Sequence, residues 1–123
     1  SFGILIATPT RAETVLYCQN ELATGIAKKN GSWETGSFPL SRYTIKFNDD
    51  FSRLNGLVFG TSECSAPFPS TKPDLLHCRS EYGLETFVYH KQKKRYTWFT
   101  MALAYASEGS DTSSIEAGTC ESF

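Results

Sequence analysis

Arg42-Tyr43-Thr44-Ile45-Lys46-Phe47 decides the fold class of this chain. Tyr43, Ile45 and Phe47 alternate with Arg42, Thr44 and Lys46, so a strand built on them buries one face and wets the other. The two-residue period recurs on both sides of this stretch, and nothing from Glu13 onward reads as a long amphipathic helix. Short alternating runs closed by turn residues are the pattern of an antiparallel meander.

Upstream, Thr14 to Gln19 puts Val15 and Tyr17 on one face, Leu16 and Cys18 on the other. Glu21 to Lys29 ends in Asn30-Gly31, a hairpin signal because both central positions of a type I′ turn need positive φ. Ala23–Lys29 is therefore expected to pair with Ser32–Phe38, although Gly25 weakens the first of these strands. A one-turn helix around Asn20 to Ala27 competes with that reading.

Downstream, Asn48-Asp49-Asp50 turns the chain and Leu57-Val58-Phe59 reads as the next short strand. Pro67, Pro69 and Pro73 make Ser62 to Asp74 a surface loop, since proline lacks the ladder donor. Leu75 to Ser80 resumes the sheet and Gly83 marks a turn. Glu85–His90 and Arg95–Ala106 flank a basic tip, Lys91-Gln92-Lys93-Lys94. The second of these is expected to be the longest strand, with Phe99, Met101, Leu103 and Tyr105 on one face. Tyr96, Trp98, Thr100, Ala102 and Ala104 occupy the other, which predicts a central strand covered on both sides over part of its length. Ser107 to Ser114 is a polar loop, and Ile115 to Cys120 closes the domain.

The expected fold is all-β: an antiparallel meander of about eight strands closing into a small lipocalin-like barrel, with a coiled β-sandwich as the alternative. Closure removes exposed strand edges, and an eight-stranded barrel holds its own side chains or one small ligand.

The 123 residues fit one domain, and 40% apolar with 14% aromatic residues is enough for a packed core. With 12 basic and 13 acidic residues the formal charge is -1, which gives no whole-molecule case for nucleic acid or an anionic membrane. No apolar run approaches the roughly 20 residues that span a bilayer. Phe2 to Ala7 is apolar, followed by Thr8-Pro9-Thr10-Arg11-Ala12. This reads as the second half of a secretory signal peptide, with Thr10 and Ala12 three and one residues before a cut. Residues 1–12 would then be a leader remnant and 13–123 a single barrel-like domain; an N-terminal edge strand over Phe2 to Ala7 is the other reading.

Cys18, Cys64, Cys78 and Cys120 are an even set without C-x-x-C spacing, the mark of a disulfide frame rather than a zinc site or redox dithiol. Four cysteines allow three pairings. The preferred one is Cys18 with Cys120, joining terminal strands side by side, and Cys64 with Cys78, closing the proline-rich loop. Such a frame places the protein in the periplasm or outside the cell.

Several segments resemble a family of small exported bacterial proteins with no assigned activity. The resembling residues are Cys18, Ala23-Thr24-Gly25, Asn30-Gly31-Ser32-Trp33, Tyr43 with Ile45-Lys46, Cys64 and Cys78, and Arg95-Tyr96. The most distinctive is the closing Asp111-Thr112-Ser113-Ser114-Ile115-Glu116-Ala117-Gly118-Thr119-Cys120, with Ser113 where the family tends to carry proline. The resemblance implies export and the cysteine frame, and no catalytic residue.

Chemistry-bearing motifs are sparse. There is no G-x-S-x-G elbow, no H-E-x-x-H helix and no phosphate-binding glycine loop. His77 and Cys78 are strand neighbours pointing to opposite faces, so they do not share a site. The cluster from His90 to Arg95 reads as a solvated hairpin tip, and Asp49-Asp50 and Glu108–Asp111 as turn chemistry. No cofactor or metal is expected. The aromatic load leads to the expectation of a non-catalytic binding module for a small apolar ligand or lipid, with Trp33, Tyr43, Tyr89, Trp98 and Tyr105 as candidate ligand-binding residues. A protein-interaction or inhibitor domain, using Ser65–Asp74 or the basic tip, is the alternative. An unrecognised hydrolase would need His77 or His90 to meet a serine or carboxylate in a cleft.

Overall fold

The computed structural model describes residues 12–29, 31–58, 60–101 and 112–122. These form nine strands and no helix: β1 (Thr14–Lys29), β2 (Ser32–Ser37), β3 (Arg42–Phe47), β4 (Arg53–Leu57), β5 (Gly60–Ser65), β6 (Leu75–Ser80), β7 (Glu85–His90), β8 (Arg95–Thr100) and β9 (Thr112–Ser122). Every pairing is antiparallel. β1 pairs with β9 as well as β3, so eight strands close a barrel and β2 lies outside the ring. The barrel expectation holds, and the sandwich does not.

Closure depends on the length of β1. Its first half, Thr14 to Gln19, pairs with β3, and its second half, Thr24 to Lys29, pairs with β2 in the Asn30-Gly31 hairpin. β9 runs along the opposite edge from Leu16 to Ala27, with a bulge between Asn20 and Leu22. The stretch over Asn20 to Ala27 is thus strand, not helical turn. Asn20 holds the bulge. Its buried Oδ1 accepts the Ser41 N–H at 2.6 Å, fixing the corner where the chain enters β3. Gly118 lies opposite Asn20, and a Cβ there would collide with the Gln19 carbonyl and the Tyr96 hydroxyl.

Arg42 to Phe47 behaves as its alternation predicts: Ile45 and Phe47 are fully buried, while Arg42, Thr44 and Lys46 are exposed. Leu16, Phe47, Leu54, Leu76, Phe87 and Tyr89 complete a core in which each large apolar side chain contributes about 1.5–3 kcal/mol of transfer free energy. Phe87 stacks on Tyr96 at 5.0 Å and Phe47 on Tyr89 at 5.5 Å between ring centroids. Both disulfides are the preferred pairs. Cys18 faces Cys120 across β1–β9, and Cys64 faces Cys78 across β5–β6. Spanning 102 and 14 residues, they restrict the unfolded chain by about 4–5 and about 3 kcal/mol in the chain-entropy account.

Four expectations are corrected. The polar loop expected over Ser107 to Ser114 stops short of Thr112, where β9 begins, and 107–111 lie outside the described residues. Leu57-Val58-Phe59 is not a strand: β4 ends at Leu57, Val58 is an exposed turn residue, and Phe59 lies outside the described residues. The loop expected from Ser62 begins later, because Gly60–Ser65 is a strand and only Ala66 onward leaves the sheet. Arg95–Ala106 is not the longest strand. β8 ends at Thr100, β1 is longest, and 102–106 lie outside the described residues.

Candidate functional site

The barrel interior is not uniform from end to end. At the end where β3, β7 and β9 begin, the inward positions carry Asn20, Tyr43, Ser80, Glu85, Trp98 and Glu116. At the opposite end they carry Leu16, Phe47, Leu54, Leu76 and Tyr89. The buried polar side chains are Asn20, Ser62, Ser80 and Glu85, and Ser62 stands directly across from Ser80. One end of the lumen is apolar and the other is polar and aromatic.

Strand alternation places these groups. Glu85, Phe87 and Tyr89 share one face of β7, and Glu116, Gly118 and Cys120 share one face of β9. Glu116 is half-buried. Its Oε1 accepts the Tyr43 hydroxyl at 3.0 Å and the Tyr96 hydroxyl at 3.3 Å, and its Oε2 accepts Asn20 Nδ2 at 3.3 Å. All three donors are neutral, and Glu116 has no ion pair among the described residues. Glu85 is fully buried; its Oε2 accepts Trp98 Nε1 at 2.7 Å and the Val58 N–H at 3.2 Å. The Glu85 N–H in turn donates to Ser80 Oγ at 3.1 Å. Ser62 Oγ is buried with no hydrogen-bond partner among the described residues. A hydroxyl taken out of water without a partner costs about 1–3 kcal/mol, so Ser62 is a local penalty inside the barrel.

Between the two carboxylates stand Tyr43 and Trp98, with ring centroids 5.1 Å apart and planes inclined by 55°. Tyr96 meets the Tyr43 ring edge-on at 5.8 Å. Burial drives the Tyr43 hydroxyl far above its ordinary ionisation range, with the neighbouring Tyr96 hydroxyl and the Glu116 charge adding to it. Burial raises Tyr96 as well, with a smaller push from Glu116. Burial alone pushes Tyr89 up to about 12. These phenols are donors and aromatic walls at neutral pH, not bases.

Of the five aromatic residues expected at a ligand site, Tyr43 and Trp98 come together at the polar end. Tyr89 is buried in the apolar end, stacked on Phe47. Trp33 lies on β2 opposite Lys28, outside the ring of barrel strands. Tyr105 lies outside the described residues. The residues missed are Asn20, Glu85, Tyr96 and Glu116.

Outside the barrel, His77 lies opposite Ser65 in a groove with Arg53, Glu63 and Arg79, and no hydrogen bond joins it to the serine. His90 Nδ1 accepts the Lys93 N–H within its own hairpin turn. Among the described residues neither histidine meets a serine or carboxylate partner of the kind acid–base work requires. Asp50 caps its turn through Ser52, whose hydroxyl and N–H hold the carboxylate below its ordinary range. Among the described residues no group of three or more His, Cys, Asp or Glu is placed to hold a metal ion. Phe68, in the proline-rich loop, is exposed with Lys72 over its ring at 5.4 Å. No helix among the described residues is long and apolar enough to cross a membrane. No family model, curated protein or solved structure matches the chain.

Proposed function

We propose that the protein is an exported, non-catalytic binding module that takes a small ligand into the polar end of its barrel. One observation carries this reading: the interior's buried polar side chains gather toward one end, beside a Tyr43–Trp98 wall, with Ser62 Oγ left without a partner. Barrel mouths that combine apolar walls with a few convergent polar groups are common ligand sites. Tyr43 and Trp98 suit an apolar or ring-shaped body, and the carboxylates and hydroxyls suit a polar head. Two disulfides fit an oxidising compartment, and the apolar stretch before Glu13 fits a leader.

Native mass spectrometry of protein purified under folding conditions tests this, together with titration by the neutral fluorescent probe N-phenylnaphthylamine. A small molecule released on unfolding, and probe binding weakened in Trp98→Ala, would support the reading. Protein that carries nothing and leaves the probe unbound would overturn it.

A second reading has its own observation. Leu22, Ile26 and Ile115 are exposed on the outer face of β1 and β9. An apolar sheet face of this kind suits a protein partner. A Leu22→Ser, Ile115→Ser double variant that abolishes a cross-link formed in native extract, while keeping probe binding, would favour that reading over the first.

A further inference from the structure

We infer that the protein self-associates into a symmetric dimer by pairing β2 of one copy, antiparallel, with β2 of another. The inference goes beyond the ligand reading and stands on a different part of the molecule.

β2 is the strand that ring closure leaves over. It is terminal in the sheet, with β1 on one side and no strand on the other among the described residues. Every residue from Ser32 to Ser37 is exposed. Its pairing with β1 runs without a bulge from Lys29–Ser32 to Thr24–Ser37, so nothing in the ladder turns the free edge away from a neighbour. The Phe38 N–H donates to the Ala23 carbonyl at 3.0 Å, in that same register. Bonded residues alternate along an antiparallel ladder, so Gly36 and Glu34 also turn their backbone groups to β1. Thr35 and Ser37 turn theirs to the open edge.

Edges of this kind are normally blunted by lysine, proline, a bulge or very short length. β2 has no lysine, proline or bulge, and its length is ordinary for a strand. Its composition also selects the occupant, because the strand is complementary to itself. Two-fold pairing can centre on Glu34, Thr35 or Gly36. Centred on Glu34, two carboxylates would stand directly opposite, which is destabilising. Centred on Gly36, the ladder would run into Pro39, which has no N–H to give. Centred on Thr35, the outward N–H and C=O groups of the two Thr35 residues bond to one another. Glu34 then faces Gly36, and Trp33 faces Ser37 with Thr35 diagonal to it. Opposed threonines, and an aromatic ring beside a β-branched residue, are favourable cross-strand pairs. The joined sheet runs β9-β1-β2 through the two-fold axis to β2-β1-β9, and it brings the exposed Trp33 and Ile26 side chains of both copies to one face.

The test is analytical ultracentrifugation of the intact chain over a range of concentrations. The unmodified protein is expected to shift from monomer to dimer. Thr35→Pro removes an N–H that β1 does not use, so the near-ultraviolet circular dichroism signal should persist while the dimer is lost. Thr35→Lys and Thr35→Glu each set like charges opposite one another across the axis and are expected to weaken the dimer about fivefold. An equal mixture of those two variants should recover it, because lysine then faces glutamate. That mixture decides the matter if Thr35→Pro fails to fold. An unmodified protein that stays monomeric overturns the inference and leaves the ligand reading standing. A dimer untouched by any of these substitutions overturns the β2 edge as its contact. Failure of the mixture to recover the dimer overturns the Thr35-centred register.

Discussion

Trp98 Nε1 donates to Glu85 Oε2 at 2.7 Å, and the same oxygen receives the Val58 N–H at 3.2 Å. One buried carboxylate thereby ties the turn between β4 and β5 to β8. Trp98→Phe keeps an aromatic ring against Tyr43 but strips a donor from a fully buried acceptor. The expected cost is about 2–3 kcal/mol in urea unfolding, in the range for losing a hydrogen bond to a charged group. A change within about 0.5 kcal/mol, as for ordinary surface substitutions, would show that Glu85 does not need the indole.

The β1–β9 seam is glycine-dependent. A methyl group at Gly118 meets the Gln19 carbonyl, the Asn20 Cα and the Tyr96 hydroxyl, whereas one at Gly36 meets nothing within 4 Å. Gly118→Ala is therefore expected to destabilise the barrel by about 1–3 kcal/mol, the range for overpacking. Gly36→Ala should be close to neutral. Equal melting temperatures for the two variants would contradict this account of the seam.

Alkaline stability follows from the buried phenols. Tyr43, Tyr89 and Tyr96 are all raised above the ordinary tyrosine value, each chiefly by burial. Below pH 10 the folded and unfolded states hold these protons equally, and the stabilisation is fully present. Above about pH 10 the unfolded chain loses them first, so stability falls as pH climbs toward 12 and beyond. Tyrosinate absorbance should rise in step with loss of the near-ultraviolet circular dichroism signal. Reversible titration of every tyrosine near pH 10 with structure intact would contradict it.

The two disulfides should differ in weight. Replacing Cys18 and Cys120 together by alanine removes a bridge spanning 102 residues, and replacing Cys64 and Cys78 removes one spanning 14. The expected losses are about 4–5 and about 3 kcal/mol. Denaturant midpoints in the reverse order would argue against chain entropy as the source of their effect.

The framework was legible where local chemistry leaves few choices. Asn30-Gly31 specified its hairpin, strict alternation specified Arg42–Phe47, and the chain order of the cysteines suited bridges across neighbouring strands. The reading failed at β4, where Leu54 and Leu57 both face inward although three residues apart. Gly56, at φ 110°, lets the strand shift register between them, and that conformation breaks the two-residue period. The site was half legible. Tyr43 and Trp98 stood out as aromatics, while Glu85 and Glu116 were not singled out within their strands. Parity was available as a signal, since Glu85 alternates with Phe87 and Tyr89, and Glu116 with Gly118 and Cys120. The same parity reaches Asn20, which continues the Leu16–Cys18 face, whereas Ala23 faces inward only because the bulge after Asn20 shifts the period.

The central claim, as proposed above, is that a small ligand enters the polar end of the barrel. A proton–nitrogen correlation spectrum recorded with and without N-phenylnaphthylamine tests it most directly. The account predicts that the Trp98 indole resonance and the Gly118 and Ala23 amide resonances move together and saturably, while those of the exposed Phe68 loop stay still. Resonances at Trp98 and Gly118 that do not move, or shifts confined to the outer surface, would contradict it.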